Sequence, residues 1–182
     1  MHSPIYVNVR RLISTPLVLD RCAGIMRDEL GALMQMRNAP VKPFGVVCGV
    51  PFGGLHLSTV YSIRTSMPMI YVHPPGKERD AMIEGIYRPG QSCLIIDDLV
   101  TGGGSILETA RHLRDFGLYV HDAIALVDRQ EGGRRALKAA GVNLTSVLSL
   151  EQIANHLRSR GHIDASSHGK ILDYIAAANN GG

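Results

Sequence analysis

The stretch "CLIIDDLVTGGGS", residues Cys93 to Ser105, joins an apolar run to two adjacent carboxylates and a glycine-rich segment. A continuous apolar run is typical of a strand covered on both faces, as in the parallel sheets of α/β proteins. The segment that follows, "SILETARHL", has helical spacing. The stretch therefore predicts a buried strand, a tight loop and a helix, with Asp97 and Asp98 at the carboxyl end of the strand.

Strands and helices alternate on both sides of this stretch. Strands are predicted at "PIYVNV", "FGVVCGV", "MPMIYV", "VHDAIALVD" and "NLTSVLSL". Helices are predicted at "TPLVLDRCAGIMRDELGALMQM", "GLHLSTVYSIRTS", "GGRRALKAAG", "SLEQIANHLRSRG" and in the tail. In the first helix Thr15 is the expected cap and Pro16 suits the first turn. The fold class is α/β, a mostly parallel central sheet flanked by helices, in one domain over residues 1–182.

One long polar segment interrupts this alternation. It is "HPPGKERDAMIEG", residues His73 to Gly85, and it contains two prolines and two glycines. Loops of about 12 residues or more inside compact domains are often functional lids. The segment is therefore predicted to be a loop that closes over a bound ligand.

Composition narrows the functional class. The net charge is +3 with no Lys/Arg-rich run, which does not favour nucleic-acid binding. The three cysteines, Cys22, Cys48 and Cys93, are far apart in sequence, and an odd, scattered set favours a reducing cytoplasm over disulfides or zinc. No apolar run approaches the ~20 residues that span a bilayer, and "MHSPIYVNVRR" lacks the layout of a signal peptide. A cytoplasmic protein without membrane partners is expected.

The glycine-rich loop and the acids together suggest a ligand class. Backbone N–H groups and the helix dipole at a helix N-terminus attract phosphate, and the hydroxyls of Thr101 and Ser105 add donors. Asp97 and Asp98 can accept hydrogen bonds from neutral hydroxyls nearby. A glycine-rich turn alone is weak evidence for phosphate binding. The G-x-G-x-x-G pattern of dinucleotide sites and the Walker A pattern are both absent, which disfavours these two kinds of nucleotide site. The combination predicts a sugar phosphate, such as a ribose 5-phosphate unit.

The residues that carry this prediction resemble the signature of the type I phosphoribosyltransferases, which bind phosphoribosyl pyrophosphate (PRPP). Four segments resemble the orotate phosphoribosyltransferase branch, and most closely the orotate-transferring half of bifunctional UMP synthase: "SPIYVNVRRLISTP", "CGVPFGG", "EGIYRPGQSCLIIDDLVTGGGS" and "ALVDRQEGG". The resemblance implies an enzyme, EC 2.4.2.10, that transfers phosphoribosyl from PRPP to orotate. The products would be orotidine 5′-phosphate and pyrophosphate, in the synthesis of UMP.

The resemblance also implies roles for individual residues. Asp97, Asp98 and Lys77 would be catalytic, and the two acids would hold the ribose hydroxyls. The rest of the PRPP site would be Thr101, Gly102, Gly103, Gly104 and Ser105 around the 5-phosphate, Cys48 and Gly49 in the loop facing the pyrophosphate, and Lys77 with Arg79 closing over it. Arg129, with Thr101, would bind orotate, since arginine pairs well with a carboxylate. Mg²⁺ would enter with PRPP, with no protein side chain assigned to the metal.

Two departures from the family pattern leave alternatives open. The chain is expected to lack a further N-terminal helical stretch, and His73 and Pro74 stand where the family has an Arg-Lys pair. Without that pair the departing pyrophosphate loses support, which predicts slow turnover. A non-catalytic PRPP- or nucleotide-binding paralogue and a phosphoribosyltransferase for another nucleobase therefore stay possible readings, as does a surface ion pair for Arg129. A homodimer, and fusion or association with orotidine 5′-phosphate decarboxylase, are also expected.

Overall fold

The α/β architecture follows from one six-stranded sheet in the computed structural model, which describes residues 4–73 and 82–180. The strands lie in the order β3-β2-β1-β4-β5-β6, and all are parallel except β3, which runs antiparallel to β2. The strands are β1 Val46–Gly49, β2 Met69–His73, β3 Met82–Glu84, β4 Ser92–Val100, β5 Tyr119–Asp128 and β6 Asn143–Ser149. The predicted mostly parallel sheet is confirmed.

The helices of the described residues connect and cover these strands. They are a 3₁₀ helix at Val9–Ser14 and the α-helices α1 Pro16–Met34, α2 Gly53–Thr65, α3 Gly104–Asp115, α4 Gly133–Ala139, α5 Leu150–Ser159 and α6 Ala165–Asn180. Pro16 is at the start of α1 as predicted, but Thr15 makes no side-chain capping hydrogen bond. Within the described ranges, no helix has both the length and the apolar character needed to cross a membrane.

Three buried clusters hold these layers together. One joins the sheet to α3 and α4 and includes Ile95 and Leu113, and a second joins it to α1 and α2 and includes Met26 and Ile96. The third lies between α5 and α6. Ile95 and Ile96 are neighbours in β4 and belong to different clusters, because successive side chains of a strand point to opposite faces. The sheet is therefore covered on both faces, which explains the continuous apolar run in β4.

The strand predicted at "PIYVNV" is wrong. Residues 5–8 form no ladder, and the 3₁₀ helix begins at Val9. The alternating pattern still describes burial, since Ile5, Val7 and Val9 are more buried than Tyr6 and Asn8 between them. The segment packs against the second and third clusters without a neighbouring strand. An alternating pattern of β-branched residues indicates a half-buried surface, and this segment has one without being part of the sheet.

The predicted loop His73 to Gly85 needs a correction at both ends. His73 is the last residue of β2, and Met82–Glu84 form β3, with His73 paired to Met82. Ile83 packs against the first cluster, which accounts for a strand at the end of a polar segment. The residues between, including Pro74, Lys77 and Arg79, lie outside the described residues.

The length of β4 differs from its prediction in a way that matters for the acids. The strand does not stop at the carboxylates, because Leu99 and Val100 continue the ladder with Val127 and Asp128 of β5. On its other side, β4 loses its partner earlier, since the last residue of β1, Gly49, pairs with Ile96. Asp97 and Asp98 are therefore inside β4 but beyond the end of β1, so the predicted edge position is correct on that side only.

Helix α2 begins close against this part of β4. A Cβ atom added to Gly54 would overlap the carbonyl oxygen of Ile96 and lie 3.0 Å from the Cα of Asp97. Both neighbours are backbone atoms of a central strand, so they cannot move aside as a flexible side chain can. Glycine at this position allows the helix to approach the strand.

We predict that Gly54→Ala lowers the free energy of unfolding by about 1–3 kcal/mol, because the added methyl group overpacks a central strand. Gly169→Ala in α6 is the matched control, since its Cβ would meet nothing within 4 Å. That change should be neutral or stabilising by up to about 1 kcal/mol, from helix propensity alone. Denaturant unfolding of both variants is the measurement, and equal stabilities would contradict the close-packing argument.

Candidate active site

The glycine-rich loop connects β4 to α3 at the carboxyl edge of the sheet. Gly103 is buried with φ of +82°, a conformation that favours glycine, and α3 begins at the next residue. Gly102, Gly104 and Ser105 are exposed, and Thr101 is half-buried. The first backbone N–H groups of a helix have no intrahelical partner. The loop therefore presents N–H donors and the positive end of the α3 dipole to a ligand.

A second helix start holds this loop in place. The backbone N–H of Gly133, the first residue of α4, donates to the carbonyl oxygen of Thr101 at 3.0 Å. A Cβ on Gly133 would overlap that same oxygen and lie 3.1 Å from the backbone nitrogen of Gly103. Gly133 belongs to the "EGG" of "VDRQEGG", and its place against the loop was not foreseen from sequence, because the two segments are 30 residues apart.

The acidic pair occupies two different environments. Asp97 shares its side of β4 with Ile95, and Asp98 shares its side with Ile96. Asp97 is 5% exposed, and its Oδ1 accepts a hydrogen bond from the backbone N–H of Asp98 at 2.8 Å. Burial, and then the neighbouring charge of Asp98, raise the pKa of Asp97 to about 8. The protonated form of Asp97 is therefore favoured at neutral pH.

Asp98 lies between helix α2 and the N-terminal segment, which comprises residues 5–10. A Cβ on Gly53 would overlap the Asp98 carboxylate, so the glycine at the start of α2 makes room for this side chain. On the other side, Nε of Arg10 is 4.0 Å from Oδ2 of Asp98. Arg10 is exposed, so this ion pair contributes little stability by itself. The contact brings the N-terminal segment to the acidic pair.

Cys48 and Gly49 end β1 beside the acids. The Cys48 side chain is fully buried in the first cluster, so the predicted contact with PRPP could come only from its backbone. Gly49 is buried as well, and a Cβ there would overlap the Ser58 hydroxyl oxygen of α2. Cys48 in β1 and Cys93 in β4 are both buried and both free thiols.

The turn that follows β1 begins at Val50, whose N–H donates to the carbonyl oxygen of Ile96 at 3.0 Å. The Pro51–Phe52 peptide bond in this turn is cis. The hydrogen bond from Val50 to Ile96 fixes the turn between β1 and α2 alongside β4.

Arg129 follows the last residue of β5, next to the glycine-rich loop. Its backbone N–H donates to the carbonyl oxygen of Val100 at 2.9 Å, which places it beside Thr101. Its side chain is only 13% exposed, and one terminal nitrogen is 2.8 Å from Oε1 of Glu131. The alternative of a surface ion pair is wrong in its location, because both partners of this pair are largely buried.

The N-terminal segment links these parts of the site, a role that the sequence did not reveal. Ile5 and Val7 pack against the α5–α6 cluster, and Arg10 approaches Asp98. Tyr6, between them, is 83% exposed. "SPIYV" belongs to one of the segments that carry the family resemblance, and that resemblance is the sequence signal for a role in the site, although the alternating pattern alone predicts only a strand.

The structure therefore brings together the glycine-rich loop, the acidic pair, the end of β1 and Arg129 at the carboxyl ends of β1, β4 and β5. Lys77 and Arg79 lie outside the described residues. Within the described part of the chain, no group of three or more His, Cys, Asp or Glu side chains is arranged to hold a metal ion. Phosphate-binding backbone next to carboxylates is an arrangement suited to a phosphorylated sugar.

Comparison with known proteins agrees with this chemistry. Residues 14–153 match the model of the phosphoribosyl transferase domain. An orotate phosphoribosyltransferase from Chlamydia caviae is 37% identical over 162 residues, which cover 87% of this chain and 74% of that protein. The chain belongs to the orotate phosphoribosyltransferase family. A uridine 5′-monophosphate synthase from Bos taurus is 36% identical over 177 residues, or 96% of this chain and 35% of that protein.

Solved structures of the family share the fold. The UMP synthase of Leishmania donovani superimposes with a TM-score of 0.82 at 29% identity, covering 96% of this chain and 36% of that one. The expected type I phosphoribosyltransferase fold is confirmed. The chain spans about three quarters of the Chlamydia relative but only about a third of each UMP synthase.

The raised pKa of Asp97 predicts a pH-dependent stability. Between pH about 4 and about 8 the folded chain binds a proton at Asp97 that the unfolded chain has released. The free energy of unfolding should therefore fall as pH rises through this interval, by on the order of a few kcal/mol.

The measurement is denaturant unfolding at a series of pH values between 5 and 9 for the wild type and Asp97→Asn. The amide resembles the protonated acid and does not titrate, so the variant should lose this component and gain stability over the wild type at the alkaline end. Parallel curves for the two proteins would contradict the assignment to Asp97.

Proposed function

We propose that this chain transfers the phosphoribosyl group of PRPP to N1 of orotate, giving orotidine 5′-phosphate and pyrophosphate. The observation that carries the proposal is the meeting of three elements at one sheet edge. These are the loop Thr101–Ser105 at the start of α3, the acids Asp97 and Asp98, and Arg129 beside Thr101. The relatives that are named orotate phosphoribosyltransferases support the choice of base.

The loop is assigned to the 5-phosphate of PRPP. Its exposed residues Gly102, Gly104 and Ser105 offer backbone N–H groups without bulky side chains, and Ser105 and Thr101 add hydroxyl donors. The positive end of the α3 dipole favours an anion there. The 5-phosphate would be anchored while the anomeric carbon stays accessible.

The acids Asp97 and Asp98 are assigned to the ribose hydroxyls. A protonated Asp97 can donate as well as accept a hydrogen bond, and its neutral form reduces repulsion with the phosphates of PRPP. When pyrophosphate departs, positive charge develops on the ribose. The negative charge of Asp98 stabilises that transition state more than the ground state, which is what accelerates a reaction.

The pyrophosphate is assigned to the turn between β1 and α2, from Cys48 to Gly53, through its backbone. Mg²⁺ would enter as the PRPP complex, because Mg²⁺ commonly binds substrate phosphates with few protein ligands. That mode suits a described site in which no ready-made cluster of metal ligands occurs. Lys77 and Arg79 are assigned to closure over the leaving group on the basis of the sequence alone.

Arg129 is assigned to the carboxylate of orotate, with Thr101 next to it. A guanidinium can pair with a carboxylate in a planar, bidentate manner, and low exposure strengthens such a pair. Its position at the end of β5, adjacent to the loop that holds the 5-phosphate, would bring the base to the sugar.

The proposal also covers the oligomeric state, the compartment and the association with a second enzyme. A homodimer is proposed, in which the segment that contains Lys77 closes over the neighbouring site, and light scattering should show about twice the 19.7 kDa chain mass. The cytoplasm is the proposed compartment. Fusion or association with orotidine 5′-phosphate decarboxylase is proposed from the similarity to UMP synthases.

A second candidate function is PRPP binding without turnover. The observation that favours it is His73–Pro74, which stands where the family pattern has an Arg-Lys pair, so that the leaving group has less positive charge beside it. This candidate predicts saturable binding of Mg²⁺–PRPP by calorimetry in a protein that forms no product.

The deciding experiment is incubation of the protein with orotate, PRPP and Mg²⁺ while the absorbance of orotate is followed. We expect turnover with orotate, slower than in relatives that carry the basic pair. Adenine, hypoxanthine and uracil serve as comparison bases. Turnover with one of these but none with orotate would overturn the proposed substrate, and PRPP binding without any turnover would favour the second candidate.

Substitutions should separate the assigned roles. Asp97→Asn with Asp98→Asn should keep the fold but lower PRPP affinity or kcat/KM, by about 1.5–3 kcal/mol for each charged hydrogen bond of Asp98 that is lost. Arg129→Ala should raise KM for orotate by at least about tenfold and leave PRPP affinity within about twofold. Lys77→Ala should lower kcat much more than PRPP affinity. Calorimetry with Mg²⁺–PRPP and steady-state kinetics are the measurements, and identical effects on both substrates would contradict these assignments.

A further inference from the structure

The side chains of Arg129 and Tyr174 both contact the carboxylate of Glu131. Oε1 of Glu131 lies 2.8 Å from a terminal nitrogen of Arg129, and the same oxygen accepts a hydrogen bond from the Tyr174 hydroxyl at 2.9 Å. The Arg129 and Glu131 side chains are 13% and 18% exposed. A charge-assisted contact that is shielded from water is stronger than one at the surface. The three side chains form a connected series, Tyr174–Glu131–Arg129.

The outer member of this series is fixed by packing away from the sheet edge. Tyr174 belongs to α6 and packs against the α5–α6 cluster, together with Ile5 of the N-terminal segment. Ile171 and Ile175 of the same helix are buried in that cluster. The position of the Tyr174 hydroxyl is therefore determined by the apolar contacts of α6.

The inner members are fixed by the backbone between them. Gln130 has φ of +59°, which is uncommon for a residue other than glycine. Its backbone N–H donates to Oδ1 of Asp128 at 2.8 Å, and its side-chain oxygen accepts the N–H of Glu151 at 3.0 Å. The left-handed turn at Gln130 is tied to β5 on one side and to the start of α5 on the other. Arg129 and Glu131 consequently leave the backbone in a fixed relation to each other.

We propose that Glu131 and Tyr174 are positioning residues that hold the Arg129 guanidinium ready for the carboxylate of the base. The inference rests on the proposed function, and it adds two residues and helix α6 to the determinants of base recognition. An unrestrained arginine loses rotamer freedom when it binds a ligand, so a guanidinium that is already held binds with a smaller entropic cost. The residues assigned to the ribose and the phosphates are not members of this series.

The first test is Tyr174→Phe, which keeps the ring in the α5–α6 cluster and removes only the hydroxyl donor. The loss of a hydrogen bond to a charged group predicts an increase in KM for orotate of about tenfold, with KM for PRPP within about twofold. The thermal unfolding midpoint should change little. Tyr119→Phe is the matched control, because Tyr119 is 58% exposed at the start of β5, at the opposite end of the strand from Arg129. It should leave both KM values unchanged.

The second test asks whether the two residues act through one series. Glu131→Gln keeps an oxygen that can accept from Tyr174 but removes the carboxylate charge that pairs with Arg129. It should therefore raise KM for orotate at least as much as Tyr174→Phe does. In the double variant the increase should be smaller than the product of the two single increases, because both changes disturb the same guanidinium.

Contrary results would overturn either the positioning role alone or the proposed function as well. Unchanged KM for orotate in both single variants, equal increases for orotate and PRPP, or a fully multiplicative double variant would overturn the positioning role. A fall in KM for orotate would also overturn it, since Glu131 would then compete with the substrate for Arg129. Wild-type protein that fails to use orotate would overturn the proposed function, and this inference with it.

Discussion

Strand β4 has partners of unequal length, and the site depends on this inequality. Its ladder with β1 ends at Ile96, whereas its ladder with β5 continues to Val100. The extra residues are held by hydrogen bonds on one side only. On the other side, the turn after β1 and the first residues of α2 pack against the strand. Gly53 leaves room for the Asp98 carboxylate, and Gly54 lets the helix approach the backbone of β4. Without that offset, Asp97 and Asp98 would be paired in the interior of the sheet.

The electrostatics of the site follow from the same geometry. Two carboxylates in adjacent positions repel each other, and a ligand rich in phosphate would repel both. The fold reduces the problem by pointing the acids to opposite faces of the strand and by burying Asp97, whose pKa is raised. Helix α3 and the glycine-rich loop supply the opposite polarity a few residues later. Acidic and anion-attracting surfaces can thus lie next to each other in one small site.

Elements that are distant in sequence complete this edge. The N-terminal segment runs from the α5–α6 cluster, where Ile5 and Val7 pack, to Arg10 beside Asp98. Helix α6 contributes Tyr174 to the surroundings of Arg129. Helix α4 begins against the glycine-rich loop through Gly133. The site is therefore completed by both ends of the chain, whereas the loop that is assigned to the 5-phosphate is local to β4 and α3.

Local patterns in the sequence account for the elements whose causes are local. Continuous apolar runs specify strands buried on both faces, and helical spacing specifies the covering helices. The stretch "DDLVTGGGS" specifies a glycine-rich turn at a helix start directly after two acids. The fold class and the position of this turn could therefore be predicted. Where β4 ends relative to β1 follows from the packed fold, because register depends on neighbouring strands. The packed fold also decides that "PIYVNV" packs as a single half-buried segment, that the Cys48 side chain faces the core, and that Glu131 and Tyr174 meet at Arg129. Those outcomes depend on contacts between residues far apart in the chain, which no local pattern encodes.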